Sequence, residues 1–511
     1  MKCSVLSAAF YSGLFWTSAS GAVIPRYFEK QPVTRRQLDS SQVQKELGSL
    51  VSNSTLIYGP ASSKFEEATS RWTDWNRPRI ESVIEPGTEA DVATIVKYCN
   101  ENSIEYLVRS GGHGLAASLG AFNGIQISTS PLKEISVQPS GKSAWFGGGL
   151  LVKEAIDGMW ELGYVTTTGG CECVGMGGAA LGGGHGRLEG LHGLIADNIL
   201  QFNVVLGNGS TIRVNSTSHS DLYWGMRGAG HNFGIVTSFE MNIWPKGPET
   251  WHFHNYVWRG EHLETVFNAL NDMHGNGTTP VNMAFEAGSF VMNTTVSTEE
   301  PVLFWSFVYR GPAEEAEKIL APFNAIEAVS DVAGDVPYPK VASSTGTGMN
   351  DPICQHGNVH STSTVFLRAF NATAERQIFE SFKRRAAEDP VLAQGCTILH
   401  EGYSTEAVEA IDSASTAYPF RADRHLTLFD AVVPHNDTAR EAAARIWADE
   451  VRDLWAAGQP DRTVDAYVNY ANGLETLEQR YGYESWRLER LRALKAAYDP
   501  DNRFRFFNPI V

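Results

Sequence analysis

The stretch RSGGHG, Arg109 to Gly114, decides how this chain is read, because it places one histidine among glycines directly after the strand-like run IEYLV. Gly111, Gly112 and Gly114 let the backbone turn sharply and bring consecutive N–H groups to bear on one anionic group, a nest suited to a pyrophosphate. His113 then stands at a fixed point beside that ligand. Alone the string is a weak signal, since glycine-rich turns with one histidine are commonly only turns.

Upstream, ESVIEP reads as a strand and TEADVATIVKYCNEN as a helix with Val92, Ile95, Val96 and Cys99 on one face. Strand, helix, strand order delivers RSGGHG to a strand end, where α/β sheets hold their ligands. Residues 23–75 are polar, with a short capped helix at SSQVQKELGSLV, and show no chemistry. Downstream, IQIS and ISVQ read as strands, and WFGGGLLVKEAIDGMWELG as a glycine turn followed by an amphipathic helix. The densest glycine region follows, TTTGGCECVGMGGAALGGGHGRLEGLHGLIADNIL, with eleven glycines from Gly169 to Gly193. At roughly 1 kcal/mol lost per glycine relative to alanine, that is too many for a regular helix or strand. Something other than the chain is expected to fill the space.

No clean Rossmann unit with a later acidic residue can be drawn there, and no P-loop GK followed by Ser or Thr is present. Cys171, Cys173, His185 and His192 do not match a closed zinc site, so no metal ligand is assigned. LQFNVVLGNGSTIRV reads as a strand, NG hairpin and strand, and DLYWGMRGAGHNFGIVTSFEMNIWP as another glycine turn and strand. From about Glu249 the glycine density falls. Strands WHFHNYVW, MAFEA, VLFWSFVYR, STVFLRAF and LTLFDAVV alternate with helices AEEAEKILAPF, AERQIFESFKRRAAE and DTAREAAARIWADEVRDLW, describing a second, α+β domain.

At 511 residues two domains are the natural expectation. A net charge of −17 argues against a nucleic-acid partner, which asks for a basic face. Residues 1–22 have the order of a secretory signal, an apolar stretch from Val5 to Trp16 too short to span a membrane, then small residues. Sequons at Asn53, Asn208, Asn215, Asn276, Asn293, Asn371 and Asn436 fit a secreted chain carrying N-linked glycans. Of six cysteines Cys3 goes with the signal, and the odd remainder leaves at least one outside any Cys–Cys pair.

Several strings together carry a resemblance: RSGGH, the VGxGGxxLGGGHG region, GLxxDN, DLYWGMRGAGHNFGIV, AYPFRADRH, YVNY and YDPDNRF occur in this order between about Arg79 and Pro509. In these strings the chain resembles the berberine bridge enzyme-like branch of the vanillyl-alcohol oxidase type of FAD-linked oxidoreductases, in its fungal secreted form. The resemblance implies an α+β, two-domain PCMH-type FAD-binding fold whose second, substrate domain is an antiparallel sheet flanked by helices. The expected boundaries are 40–248 for the FAD-binding domain, 249–464 for the substrate domain and 465–511 for a C-terminal segment returning to the first.

It further implies that RSGGHG cradles the FAD pyrophosphate and that His113 is bonded to the 8α methyl carbon of the flavin. Cofactor contacts are expected from Arg109, Ser110, Gly111, Gly112, His113, Gly114, Cys171, Val174, Gly178, Gly182, Gly183, Gly184, Gly186, Asp197, Asn198, Gly234, Ile235 and Val236. Cys171, three residues before Val174, is the candidate for a second flavin bond. Many bicovalent members read C-P-T or C-P-S there, whereas this chain reads Cys171, Glu172, Cys173. Val174 occupies the family's oxygen-gate position, and a small valine favours an oxidase over a dehydrogenase. Cys171 and Cys173 stand too close for a relaxed mutual disulfide, and Cys354 with Cys396 is the expected pair, though sequence alone does not fix it.

In YVNY, Tyr470 is the candidate base and Tyr467 a pocket wall, with the reverse as alternative; Asn469 orients one of them. Since tyrosine titrates near 10, a base at neutral pH requires nearby positive charge or help from the flavin. His252, His254, His356, His360 and His425 are lesser candidates. Arg421 and Asp423 read most simply as a surface ion pair. The implied activity is a secreted oxidase that passes hydride from a small alcohol, amine or phenol of specialised metabolism to FAD and returns the electrons to dioxygen as hydrogen peroxide. A carbohydrate oxidase and a flavin-binding glycoprotein of little turnover are the alternatives.

Overall fold

A computed structural model of the chain describes residues 39–275 and 277–511. The signal-like segment, Cys3 and Asn276 lie outside the described residues. The helix at Ser40–Leu47 is capped by Asp39, whose carboxylate accepts from Ser41 N. Glu89–Glu101 forms the helix expected from its apolar spacing, closed by a capping box in which Thr88 and Asp91 satisfy each other's backbone N–H. Its buried face, Val92, Ile95, Val96 and Cys99, packs on a four-stranded sheet ordered Leu56–Tyr58, Arg79–Glu85, Asn123–Ser128, Tyr106–Arg109. The last three pair in parallel. A second, antiparallel sheet runs Ile135–Val137, Ser143–Gly147, Ile235–Asn242, Ile199–Val205, Thr211–Asn215. The segment DLYWGMRGA is not the expected glycine turn; it is a helix, Ser220–Ala229, that kinks at Arg227 and Gly228 where the glycines begin.

The second part is an antiparallel sheet of eight strands, ordered Ser330–Val336, Trp251–Trp258, Val302–Tyr309, Met283–Val291, Cys396–Gly402, His425–Val433, Val359–Ser363, with Phe366–Leu367 paired to His425–Val433. STVFLRAF is therefore broken between two short strands. One face carries helices Leu263–His274, Ala313–Asn324, Ala372–Glu388 and Thr438–Ala457 over a core in which Trp258, Trp305, Trp447 and Trp455 are fully buried. The other face turns towards the glycine-rich region. Two strands, Cys396–Gly402 and Ser330–Val336, are absent from the sequence expectation, and the first of them matters for chemistry.

Strand Cys396–Gly402 shows why. Side chains alternate across a sheet, so Ile398 and His400 enter the helix-covered core while Leu399 and Glu401 face the glycine-rich part. The C-terminal residues come back to the first part: Leu488, Leu491 and Leu494 of helix Ser485–Tyr498 pack with Leu222, Trp224 and Phe233. The described residues form one compact unit. Asn53, Asn208, Asn371 and Asn436 are exposed.

Candidate flavin site

A cavity of about 370 Å³ lies between the first part and the free face of the eight-stranded sheet. Arg109 to Gly114 form one wall, and Cys171, Val174, Gly178, Gly184, Gly234, Ile235 and Val236 continue it. Two loops meet there backbone to backbone. A Cβ on Gly111 would lie 2.4 Å from Gly175 N and one on Gly175 would lie 2.5 Å from Gly111 N, so neither accepts a side chain. Gly112 turns at φ +81°, a conformation that other residues adopt only under strain.

The other expected contacts build the wall from behind. Gly182 packs on Asn469, Gly183 on Tyr418, and a Cβ on Gly186 would collide with Thr168 O. Asp197 holds Arg421 through two hydrogen bonds of 2.6 and 2.7 Å, and its Oδ2 accepts from Leu194 N. Asn198 donates to the carbonyls of His192 and Leu194. None of the five lines the cavity. The surface ion pair expected of Arg421 and Asp423 is absent: both are buried, Arg421 on Asp197 and Asp423 on Arg462 at 2.6 Å. Buried charges need such close partners, and each found one far along the chain.

The anion-binding character rests on cations that burial leaves without full compensation. Arg71 and Arg109 both line the cavity. Burial, with Arg109 and Arg77 nearby, brings the Arg71 guanidinium down to about 9. Among the described residues, Nε of Arg71, Arg109 and Arg503 has no hydrogen-bond partner. A phosphate-bearing ligand would supply what these groups lack.

His113 faces the cavity. Burial, followed by the neighbouring His356, drives its pKa to about 3, so the imidazole is neutral, and Nδ1 has no hydrogen-bond partner among the described residues. Trp72 lies alongside with ring centroids 6.1 Å apart and stacks on His360 at 3.8 Å. Residues 71 and 72 therefore belong to the site, although their segment shows no chemistry in sequence. Nε2 of His113 is 3.5 Å from Cys173 Sγ.

Cys173 is bonded to Cys354. This corrects the expected Cys354–Cys396 pair: Cys396 is buried at the start of a sheet strand, within the helix-covered core, while Cys354 sits on a short turn brought against residues 171–173. Cys171 remains a free thiol, 3.5 Å from Cys173 Sγ and 3.6 Å from Cys354 Sγ, its pKa pushed up to about 11 by burial.

Opposite lie Tyr467, Asn469 and Tyr470, all three lining the cavity. The Tyr467 hydroxyl accepts from Gly184 N at 3.0 Å and from Asn469 Nδ2 at 2.7 Å, so Asn469 orients Tyr467. Tyr470 donates to Glu401 Oε2 at 2.8 Å. Both tyrosines are raised, chiefly by burial, and Tyr470 further by the Glu401 charge. A carboxylate, Glu401, stands against the Tyr470 hydroxyl. Glu401 itself is raised by burial from 4.5 to about 7, eased by Tyr470 and His185. Its residual exposure is to the cavity. Glu401 is thus a carboxyl raised towards neutrality on the cavity wall, which sequence reasoning missed; the period-two alternation of CTILHEG is its one local signal.

Of the candidate histidines, His356 contacts the His113 ring edge-on at 5.6 Å and His360 pairs with Asp430 at 2.8 Å. His252, His254 and His425 do not line the cavity.

The fold and site together define a flavin-binding oxidoreductase. Models of two families match the chain, "FAD binding domain" over residues 80–215 and "Berberine and berberine like" over 466–511. The chain is 49% identical over 493 residues to the FAD-linked oxidoreductase iacH of Pestalotiopsis fici, covering 96% of this chain and 94% of that protein. It is 47% identical over 499 residues to the FAD-linked oxidoreductase OXR2 of Pyricularia oryzae, covering 96% of each. The chain belongs to the berberine bridge enzyme-like family of FAD-linked oxidoreductases, in its fungal branch. Its fold is shared with the glucooligosaccharide oxidase of Acremonium strictum, which carries a 6-S-cysteinyl, 8α-N1-histidyl FAD, at a TM-score of 0.73 and 19% identity over 93% of this chain and 98% of that one.

Proposed function

We propose that this chain is a secreted oxidase that removes two electrons from a small, largely apolar alcohol, amine or phenol, with Glu401 taking the proton and dioxygen as final acceptor. The single observation that carries the reading is the Glu401–Tyr470 pair: a carboxyl titrating near 7 inside an aromatic cavity, held by a hydroxyl that also faces the substrate space. A base is most effective when its pKa lies near the working pH.

Bound in the cavity, FAD supplies the two-electron acceptor. RSGGHG with Arg71 and Arg109 holds the pyrophosphate, and neutral His113 is the residue for attachment at the flavin 8α position. Cys171, as the free thiol of the sulfur cluster, is the candidate for a second attachment. Val174, lining the cavity, leaves a path for dioxygen. Phe285, Tyr403, Leu399 and Leu428 wall the side opposite RSGGHG. That lining excludes water and suits an apolar or aromatic ring, whereas an oligosaccharide asks for many more polar partners. A raised carboxyl kept in an apolar site argues equally against a flavoprotein of little turnover, since burying it costs stability. The apolar N-terminal stretch and the sequons support secretion.

Acid precipitation of purified yellow protein tests the cofactor reading: flavin stays in the pellet with wild type and appears in the supernatant with the double variant His113→Ala, Cys171→Ala, while the two single variants show which tether is present. Flavin released from wild type overturns the covalent assignment. Peroxide formed from aryl alcohols or phenols and not from oligosaccharides supports the substrate class, and the reverse pattern overturns it.

A further inference from the structure

The sheet edge remote from the cavity carries a second polar cluster that the oxidase reading does not use. His252 and His254 lie two residues apart on strand Trp251–Trp258, so both rings project to one side of the sheet. Each ring is anchored at its far nitrogen by an aspartate of the edge strand Ser330–Val336: His252 Nδ1 to Asp335 Oδ1 at 2.7 Å and His254 Nε2 to Asp331 Oδ1 at 2.6 Å. Their near nitrogens converge on one oxygen, Glu317 Oε1, at 2.7 Å from His252 Nε2 and 2.8 Å from His254 Nδ1. Glu317 comes from helix Ala313–Asn324, and its other oxygen is held by Asn324 Nδ2 at 2.7 Å, which leaves Oε1 free to serve the rings. The Tyr256 hydroxyl, bonded to Asn324 Oδ1 at 2.6 Å, lies 2.9 Å from His254 Nδ1 and closes the inner side.

We propose that His252 Nε2, His254 Nδ1 and Glu317 Oε1 bind a Zn²⁺ ion that clips the edge strand and the helix to the sheet. The three ligand atoms lie within 4.8 Å of one another. Tetrahedral coordination at about 2.0–2.2 Å sets ligand atoms about 3.3 Å apart, so Glu317, one-third exposed, withdraws by about half an ångström. That exposed side is also the path by which the ion enters and where water completes four ligands. Imidazoles whose second nitrogen is held by a carboxylate are the usual outer support of zinc-bound histidine, fixing tautomer and ring orientation. Charge favours the ion as well. Glu317, Asp331 and Asp335 surround the two imidazoles, and a divalent ion bonded to the two near nitrogens leaves the far ones facing the aspartates. Four ligands, with the sheet and Tyr256 closing the other directions, suit Zn²⁺ better than a six-coordinate ion.

The test uses the holoenzyme, stripped with a chelator, dialysed and titrated with ZnCl₂, with bound metal measured by mass spectrometry. Wild type retains about one Zn²⁺ per chain, more tightly at pH 8 than at pH 6 because binding displaces protons. His254→Gln and Glu317→Gln lose it, Asp335→Asn weakens it about 10–100-fold, and His425→Gln, at a separate buried cluster, keeps it. Zinc raises the melting temperature of wild type and not that of Glu317→Gln, whose side chain is one-third exposed. Wild type that binds no zinc, or equal binding by wild type, His254→Gln and Glu317→Gln, overturns the proposal.

Discussion

Replacing Glu401 with glutamine separates proton transfer from packing, because glutamine keeps the size and still accepts the Tyr470 hydroxyl at 2.8 Å. The carboxyl is raised from 4.5 to about 7, with burial as the main cause. In the unfolded chain it ionises above pH 4.5, while in the folded protein it resists until about 7. Its contribution to stability is therefore fully present below 4.5 and lost as pH rises to about 7. At about 1.4 kcal/mol per pH unit the loss amounts to about 3 kcal/mol at pH 8. Glu401→Gln removes that loss. The variant is expected to match wild type at pH 4.5 and to exceed it at pH 8 by up to about 3 kcal/mol in thermal or denaturant unfolding. Activity moves the other way. Loss of a positioned base lowers kcat/KM by about 10²–10⁴-fold, and the fall in kcat/KM that wild type shows below about pH 7 disappears. A variant with wild-type activity and an unchanged inflection would refute the assignment of Glu401, and so would one no more stable than wild type at pH 8.

Two further changes probe the frame of the site. Asp197→Asn leaves the Arg421 guanidinium buried without its counter-charge and should cost about 3–5 kcal/mol in unfolding free energy; a loss below about 1 kcal/mol would mean that the pair carries no such weight. Digestion without reductant should give a peptide joined through Cys173 and Cys354, and Cys354→Ala should lower stability by about 2–5 kcal/mol. A Cys354–Cys396 peptide would restore the pairing expected from sequence.

The parts legible in sequence are those whose cause is local. RSGGHG follows strand Tyr106–Arg109 as the pattern requires, and helix Glu89–Glu101 carries its cap and apolar spacing in one short window. Glu401 is different. CTILHEG places one acid among apolar residues, which describes a solvent-facing position as well as a cavity; its meaning comes from Tyr470, 69 residues away. The Asp197–Arg421 pair spans 224 residues and the disulfide 181, distances at which neither periodicity nor spacing selects a partner. Strand Ser330–Val336 escaped because SDVAGDV has little β propensity and a mostly exposed edge. Trp72 and Arg71 escaped because a polar, irregular segment gives no sign of what it lies against.

Residues 503–507 supply Arg503, Phe504, Phe506 and Phe507 to the cavity, and they follow every other part of its wall in chain order. The wall is thus closed by a segment that lies about four hundred residues beyond Arg71, Arg109 and His113 in the chain, so the two sides of the chamber are brought together only by the fold as a whole.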